Sequence, residues 1–503
     1  MRHLVLILCL LLPACTFNVQ RLDRVEFVST ERSTAKKPTA PTFDDLLLVA
    51  ARHCPGVDQF PMDKADDNAD KVVARVKLLN CLFKDKPHRK LVVLLDGTAN
   101  TREDSTNIWR LYQLALNQAL SGTPADIKLG APVIPYYDKG VGTSRVTPVS
   151  GAIFGTGVSR NIRQAYRFLV QTYHPGDRIY LFGFSRGAFT ARSLNGFIEF
   201  AGLAKADSVA PSSWEDTTLL GWTGNFHRKV AGLYDLYRQP NQGQATFEQG
   251  LRKQLAEYRK EQHIAVYGDG DGSAKVVVEV IGVFDTVPAI GWGLDEDPDG
   301  HRIELYARRG YHAMSLDEQR DAFRLQRFAV PQVRTQALEE VWFAGVHADV
   351  GGGYNKKEDS GMCKPSLDGK QSEPIGLSAA PLRWMLARTQ ADGIFAAQWP
   401  SLCVDGRLHD EYFDASWLKE VVYRNAGLLR RKPVECDRVD YTVIERMQVK
   451  QLPSRHPYRE PDGVYRPSNL GHAPLATFSI VQGDSQTSAS ERCEARSQGR
   501  RTP

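Results

Sequence analysis

From Lys90 onward the chain alternates between two hydrophobic textures. Short unbroken apolar runs rich in β-branched or aromatic residues occur at Leu91–Leu95, Val133–Tyr137, Ile179–Phe182, Val276–Phe284 and Val341–Val346. Strands buried on both faces read this way, as in a parallel sheet. Between them lie segments of helical period: 105–120, with Ser105 as its expected N-cap, then 159–173 and 187–200. Strand and helix in repeated alternation predict an α/β fold, a mostly parallel sheet covered by helices.

The same pattern divides the chain. Residues 90–395 form the expected catalytic body. It is preceded by a helical segment, 42–89, whose second helix has an apolar face of Val72, Val73, Val76, Leu79 and Phe83. An insertion at 203–275, rich in Trp, Tyr and charge and including the helix-like 228–238, reads equally as a lid or as a surface elaboration. Residues 354–374 are a polar loop, 396–481 continue the same body, and 482–503 read as a disordered tail.

The amino terminus has its own logic. Met1-Arg2-His3 is a short basic stretch, and Leu4–Leu12 is apolar but too short to span a bilayer. It ends in Leu12-Pro13-Ala14-Cys15, which resembles a lipoprotein lipobox, with Pro13 unusual inside it. The expectation is a signal peptide over 1–14, lipidation and membrane association through Cys15, and a tether over 15–41, with plain secretion as the alternative. That places the protein in the bacterial cell envelope, facing the periplasm, with the outer membrane as the expected site.

Cysteine usage follows from this placement. Of the 8 cysteines, cleavage would remove Cys9 and leave Cys54, Cys81, Cys363, Cys403, Cys436 and Cys493 besides Cys15. Cys54 with Cys81 is the favoured pair, since both end helix-like segments; buried free thiols are the alternative. Cysteine and histidine spacings suggest no metal site, and no cofactor is expected. Across 503 residues the net charge is only +5, and Lys and Arg form no stripe, so nucleic acid is not an expected partner.

The candidate chemistry centres on residues 178–197, where Ile179–Phe182 runs into Gly183-Phe184-Ser185-Arg186-Gly187 and then into a helical stretch. Strand, Gly-x-Ser-x-Gly turn and helix make a nucleophile elbow. The five-letter pattern is short enough to arise by chance; its context gives it weight. Every strand identified above is followed by a polar loop: Asp96-Gly97-Thr98, Asp138-Lys139-Gly140, Ser185, Asp285-Thr286 and His347-Ala348-Asp349. In a parallel sheet these loops share the carboxyl edge, where α/β proteins build their sites. Ser185 as nucleophile, Asp285 as orienting acid and His347 as base follow the Ser…Asp…His order of α/β-hydrolases.

Rivals exist for two of these roles. His312 lies in a helix-like stretch and reads as a packed histidine. Asp349 competes with Asp285, though it more naturally braces the glycine-rich turn, and Asp96 is either catalytic or a loop cap. An acyl-transfer oxyanion needs two N–H donors. The Arg186 amide is one expected donor, and Gly97 or Thr98 the other. Two look-alikes fail: Leu94 stands where a haloacid-dehalogenase-type phosphatase needs its second carboxylate, and Asp269-Gly270-Asp271-Gly272 lacks the downstream ligands of a calcium loop.

Longer blocks carry a resemblance. LVVLLDGTANTREDSTNIWRLY (91–112), YYDKGVGT (136–143), the segment 162–194 around GFSRG, VEVIGVFDTVPAIG (278–291), YHAMSLDEQRDAF (311–323), EEVWFAGVHADVGGGY (339–354) and LRWMLA (382–387) resemble the type VI secretion phospholipase effectors. The resemblance implies an α/β-hydrolase that cleaves acyl esters of membrane phospholipids, with its catalytic residues on Ser185, Asp285 and His347. It departs from the family in one respect: such effectors usually lack a cleavable export signal, whereas this chain begins with a lipoprotein-like one. A lipase at its own producer's envelope needs restraint by specificity, a lid or an inhibitor such as an immunity protein. The expected function is a serine esterase or phospholipase. The alternatives are an esterase for non-lipid esters and a non-catalytic envelope module on the same fold.

Overall fold

The computed structural model describes residues 46, 54, 69–97, 100, 104–123, 126–139, 151–209, 225–239, 247–270, 272–288, 302–329, 336–354, 375–409, 431–450, 452, 463–470, 477–482 and 485–487. All of these fall in one unit, Ala40–Pro503. The expected signal peptide, Cys15 and the tether lie outside the described residues.

In chain order the elements used below are α1 (Ala69–Leu82), β1 (Lys90–Leu95), α2 (Asn107–Ala119), the hairpin β2 (Leu120–Thr123) and β3 (Asp126–Leu129), β4 (Val133–Asp138), α3 (Gly151–Thr172), β5 (Arg178–Phe184), α4 (Arg186–Ala201), α5 (Asn225–Tyr237), α6 (Phe247–Glu261), β6 (Val278–Phe284), β7 (Arg309–Ser315), β8 (Ala337–Phe343), α7 (His347–Gly351), α8 (Ala379–Thr389), β9 (Arg438–Asp440), α9 (Tyr441–Gln448), β10 (Ser479–Gln482) and β11 (Ser485–Thr487). One sheet runs β4-β1-β5-β6-β7-β8-β9-β10-β11. Every neighbouring pair in it is parallel except β10–β11. This is the α/β-hydrolase-like architecture expected from the sequence.

Those runs form strands because both of their faces are covered. In β1 every residue from Leu91 to Leu95 is buried, and in β5 every residue from Ile179 to Phe184. An alternating strand could not bury both faces, and an exposed one could not carry so much apolar surface. The chain leaves β1 toward β4 on one side and returns to β5 on the other. That reversal lies between β1 and β5, and the carboxyl ends at such a switch point are where an open α/β sheet receives its ligand.

Several expectations need correction. Helix α2 is capped by Thr106, whose hydroxyl accepts the Trp109 N–H at 3.1 Å. Ser105 instead adopts a positive φ of 53°. Thr106 wins the cap because its hydroxyl also donates to Asp96 at 2.7 Å, tying the helix to β1. The stretch holding His312 is strand β7, not helix. Its neighbours β6 and β8 offer ladder partners on both sides, which override the helical pattern downstream. Part of the expected disordered tail, Ser485–Thr487, forms β11 against the edge of β10.

The described part of the 203–275 insertion includes two helices. Helices α5 and α6 pack on α4, burying Leu233, Tyr234, Tyr237, Leu251 and Leu255. Among the described residues of 396–481, β9 and β10 extend the sheet, and Val439, Val443 and Phe478 share a second core with Met314, Leu316 and Trp342.

Cys54 and Cys81 form a disulfide. Cys403 and Cys436 are disulfide-bonded as well. At the amino edge of the sheet, fully buried Arg89 grips Asp177, with Nε at 3.2 Å from both carboxylate oxygens and an Nη at 2.6 Å from one of them. The pair locks the residues just before β1 and β5, far from the carboxyl edge. Asp177→Asn leaves a buried guanidinium without its counter-ion, so it is expected to cost about 3–5 kcal/mol in urea denaturation. The activity of the molecules that remain folded should be unchanged.

Candidate active site

Each strand end at the carboxyl edge continues the ladder by one residue before the chain turns. The Ser185 N–H donates to the Phe284 carbonyl at 3.0 Å, and the Asp285 N–H donates to the Ala313 carbonyl at 2.7 Å. Both residues sit at positive φ, 58° for Ser185 and 42° for Asp285. Side chains rarely occupy that region, at a cost of about 1–3 kcal/mol each, and such strain concentrates at functional sites.

The flanking glycines are required by close approach. A Cβ at Gly183 would lie 2.4 Å from the Gly187 carbonyl oxygen, and one at Gly187 would lie 2.2 Å from the Leu95 carbonyl oxygen. Helix α4 can start against β1 only because both are bare. Ser185 is thereby held at the first position before α4, 5% exposed at the head of the sheet.

His347 opens α7 after β8. Its Nδ1 lies 2.6 Å from Asp285 Oδ2. Asp285 is fully buried, and each of its oxygens has two partners. Oδ1 accepts the Ser315 N–H at 2.8 Å and an Arg431 N–H at 2.5 Å; Oδ2 accepts His347 and the other arm of Arg431 at 3.0 Å. Burial alone would push the Asp285 carboxyl up, but the Arg431 guanidinium and the hydrogen bonds from His347 and Arg431 outweigh it. They hold the carboxyl well below the usual carboxylate range.

An ionised carboxylate can only accept, so the imidazole proton sits on Nδ1, leaving Nε2 with its lone pair. Burial lowers the His347 pKa despite Asp285, which favours the neutral ring. The His347 N–H is taken by Glu318 Oε2 at 3.2 Å. The ring is wedged between Phe184, at a centroid distance of 4.7 Å, and Phe323, at 4.9 Å. Phe184 is the residue before Ser185, so the imidazole packs against the elbow that carries the serine. No hydrogen bond joins Ser185 Oγ to His347 Nε2 among the described residues.

The remaining candidates separate clearly. Asp96 is a brace: its carboxylate accepts the Gly97 N–H at 2.8 Å, the Thr106 hydroxyl at 2.7 Å and the Tyr137 hydroxyl at 2.8 Å. Burial nonetheless raises its pKa to about 6. Asp349 also braces, accepting the Val346 N–H at 3.0 Å and pairing with His409 Nδ1 at 2.7 Å, so it is not joined to His347. His312 is packed as expected: Nε2 accepts the Thr286 N–H at 3.1 Å and Nδ1 lies 3.1 Å from Glu340. Gly97 faces the elbow, since a Cβ there would lie 3.0 Å from the Phe184 ring. Arg186 begins α4. Thr98 lies outside the described residues. Among the described residues no group of His, Cys, Asp and Glu is arranged to hold a metal ion.

Sequence reasoning missed Arg431 and Glu318. Arg431 lies 146 residues from its partner Asp285, in a stretch without pattern, and no local signal marks it. Glu318 could have been suspected as a carboxylate within SLDEQRDAF, but its hydrogen bond to His347 crosses from one strand end to another.

Fold and site together define a class, the α/β-hydrolase-like proteins with a strained elbow serine and a buried His–Asp pair at the carboxyl edge. The model of the catalytic domain of Tle1-like phospholipase effectors of type VI secretion matches residues 89–388, and the chain belongs to that family. The chain is 29% identical over 254 residues to the uncharacterized protein YEL023C of Saccharomyces cerevisiae, covering 47% of this chain and 32% of that one. It thus spans about a third of the length of that relative. Among solved structures, an uncharacterized protein from Pseudomonas aeruginosa is similar with a TM-score of 0.35 and 16% identity, over 66% of this chain and 50% of the other. A Tle1 effector bound to the VgrG spike of the type 6 secretion system is similar with a TM-score of 0.32 and 16% identity, over 68% and 80%.

The glycine geometry can be tested by contrast. Gly187→Ala drives a methyl into backbone carbonyls and should cost about 1–3 kcal/mol in urea denaturation. Gly250→Ala, in α6 with open space around the added Cβ, should gain about 0.5–1 kcal/mol in the same measurement.

Proposed function

We propose that the protein is a serine hydrolase of carboxylic esters, a phospholipase acting on membrane lipids. The observation that carries this reading is the cluster at the carboxyl edge. A serine in a strained elbow stands beside the ring cluster of an imidazole whose other nitrogen is bonded to a buried, ionised aspartate. Membership of a phospholipase effector family supports the lipid ester as substrate.

The chemistry follows from the protonation states. Ser185 Oγ attacks the ester carbonyl while His347 Nε2 takes its proton. Asp285 keeps Nδ1 protonated and stabilises the imidazolium as it forms. The oxyanion accepts the Arg186 N–H at the start of α4 and a second N–H from the loop at Gly97 or Thr98. The imidazolium then protonates the leaving alcohol, and water releases the acyl group by the same route. The serine–imidazole hydrogen bond forms when substrate occupies the site.

Wild-type protein is expected to label with a fluorophosphonate and to release fatty acid from phospholipid vesicles, and Ser185→Ala to lose both while keeping its denaturation midpoint. Undiminished labelling in that variant sinks the reading; turnover of short esters without lipid release moves the substrate to a non-lipid ester. Because burial lowers the His347 pKa, the labelling rate should rise with pH through a midpoint below the ordinary imidazole value of 6.5.

The compartment is a further part of the reading. Disulfides at Cys54–Cys81, Cys403 and Cys436 suit an oxidising compartment, and lipidation at Cys15 would anchor the enzyme in the envelope. Radiolabelled palmitate should enter the wild type and not Cys15→Ser; an unlabelled, released wild type would favour secretion.

A further inference from the structure

The half of the site that holds the acid and the imidazole is gripped from outside the family-matched residues 89–388. Tyr465 donates its hydroxyl to Asp317 at 2.6 Å, and Asn469 donates to the carbonyls of Leu316 and Glu318 at 2.6 and 3.1 Å. His409 holds Asp349 in the turn that carries His347. Arg431 reaches the acid itself. Its fork spans both oxygens of Asp285, and the same guanidinium donates to the Ser315 carbonyl at 3.1 Å, the Ser315 hydroxyl at 2.6 Å and the Phe323 carbonyl at 2.7 Å.

We propose that Arg431 is a positioning residue of the reaction, contributed by the C-terminal extension, which fixes the plane of the Asp285 carboxylate so that Oδ2 faces His347 Nδ1. The inference rests on the reading of Ser185, His347 and Asp285 as the triad. A carboxylate on a single Cβ can swing about two bonds, and a planar fork on both oxygens removes that freedom, as a point-charge ammonium cannot. Phe323, whose carbonyl Arg431 holds, lays its ring against His347, so one guanidinium sets both the partner and the wall of the imidazole.

The clamp has an electrostatic consequence. Arg431, bound to both oxygens of Asp285, opposes the field that the carboxylate imposes on His347. The other charges facing the pair are Glu318 and Arg320, which bind each other at 2.7 Å, and His312, which faces Asp285 from β7. Removing Arg431 leaves the aspartate's charge uncompensated and stabilises the imidazolium.

The test reads the pH dependence of fluorophosphonate labelling in the full chain, with Ser185→Ala as the control for the triad. In Arg431→Met the midpoint should move up by about one pH unit and the plateau rate fall at least tenfold. Arg431→Lys should keep the wild-type midpoint but lose about tenfold in plateau rate, and guanidinium chloride at non-denaturing concentration should restore part of the rate in Arg431→Ala. A wild-type midpoint in folded Arg431→Met, or a wild-type plateau in Arg431→Lys, overturns the proposal while leaving the triad standing. Labelling that survives in Ser185→Ala overturns the triad instead.

Discussion

A carboxylate with no access to water must be solvated by the protein itself, and Asp285 meets that demand with four donors. Ionising such a group in the interior costs several kcal/mol. A hydrogen bond to a charged group returns about 1.5–3 kcal/mol. No single partner is therefore enough, and the site depends on several being present together: a backbone amide of β7's last residue, the imidazole of His347 and the two arms of Arg431. These come from three separate regions of the chain, so the anion can exist only once the sheet and the C-terminal extension have assembled. The acid is an outcome of folding as much as a component of chemistry.

The sheet determines how those regions meet. Parallel pairing places Phe184 opposite Phe284, and Phe284 opposite Ala313, so the chain leaves adjacent strands at one level. Ser185 and Asp285 both twist into positive φ there while their amides still complete the ladder. Strain at the two turns is thus carried by two strands buried along nearly their whole length. The aromatic pair Phe184 and Phe323 then fixes the imidazole in the space between, and the bare glycines at 183 and 187 let α4 come close enough to present the serine.

The C-terminal extension changes meaning in this light. Residues 438–440 and 479–482 continue the sheet, and Val439, Val443 and Phe478 close a second core under Trp342. With His409, Tyr465 and Asn469 bracing the turns beside Asp285 and His347, the extension supports the proposed chemistry from behind. The family-matched region alone holds the proposed reacting groups but not all of what orders them.

What could be read from the chain was whatever depends on local pattern. Runs such as Leu91–Leu95 and Ile179–Phe182 announce two-sided burial because no exposed strand tolerates them, and Gly183-Phe184-Ser185-Arg186-Gly187 announces an elbow because its glycines answer a steric demand between near neighbours. The order of serine, aspartate and histidine was legible for the same reason: each follows a strand. Residue 312 reads as helical in the sequence because its strand partners, β6 and β8, are not its neighbours there, and Thr106 rather than Ser105 takes the cap because Asp96 selects it from another element. Arg431 was invisible. Its role arises from meeting Asp285 across 146 positions, and a buried ion pair has no periodicity to betray it. Local sterics and burial are written in the sequence; the pairing of distant charges is decided only when the tertiary fold brings them out of water together.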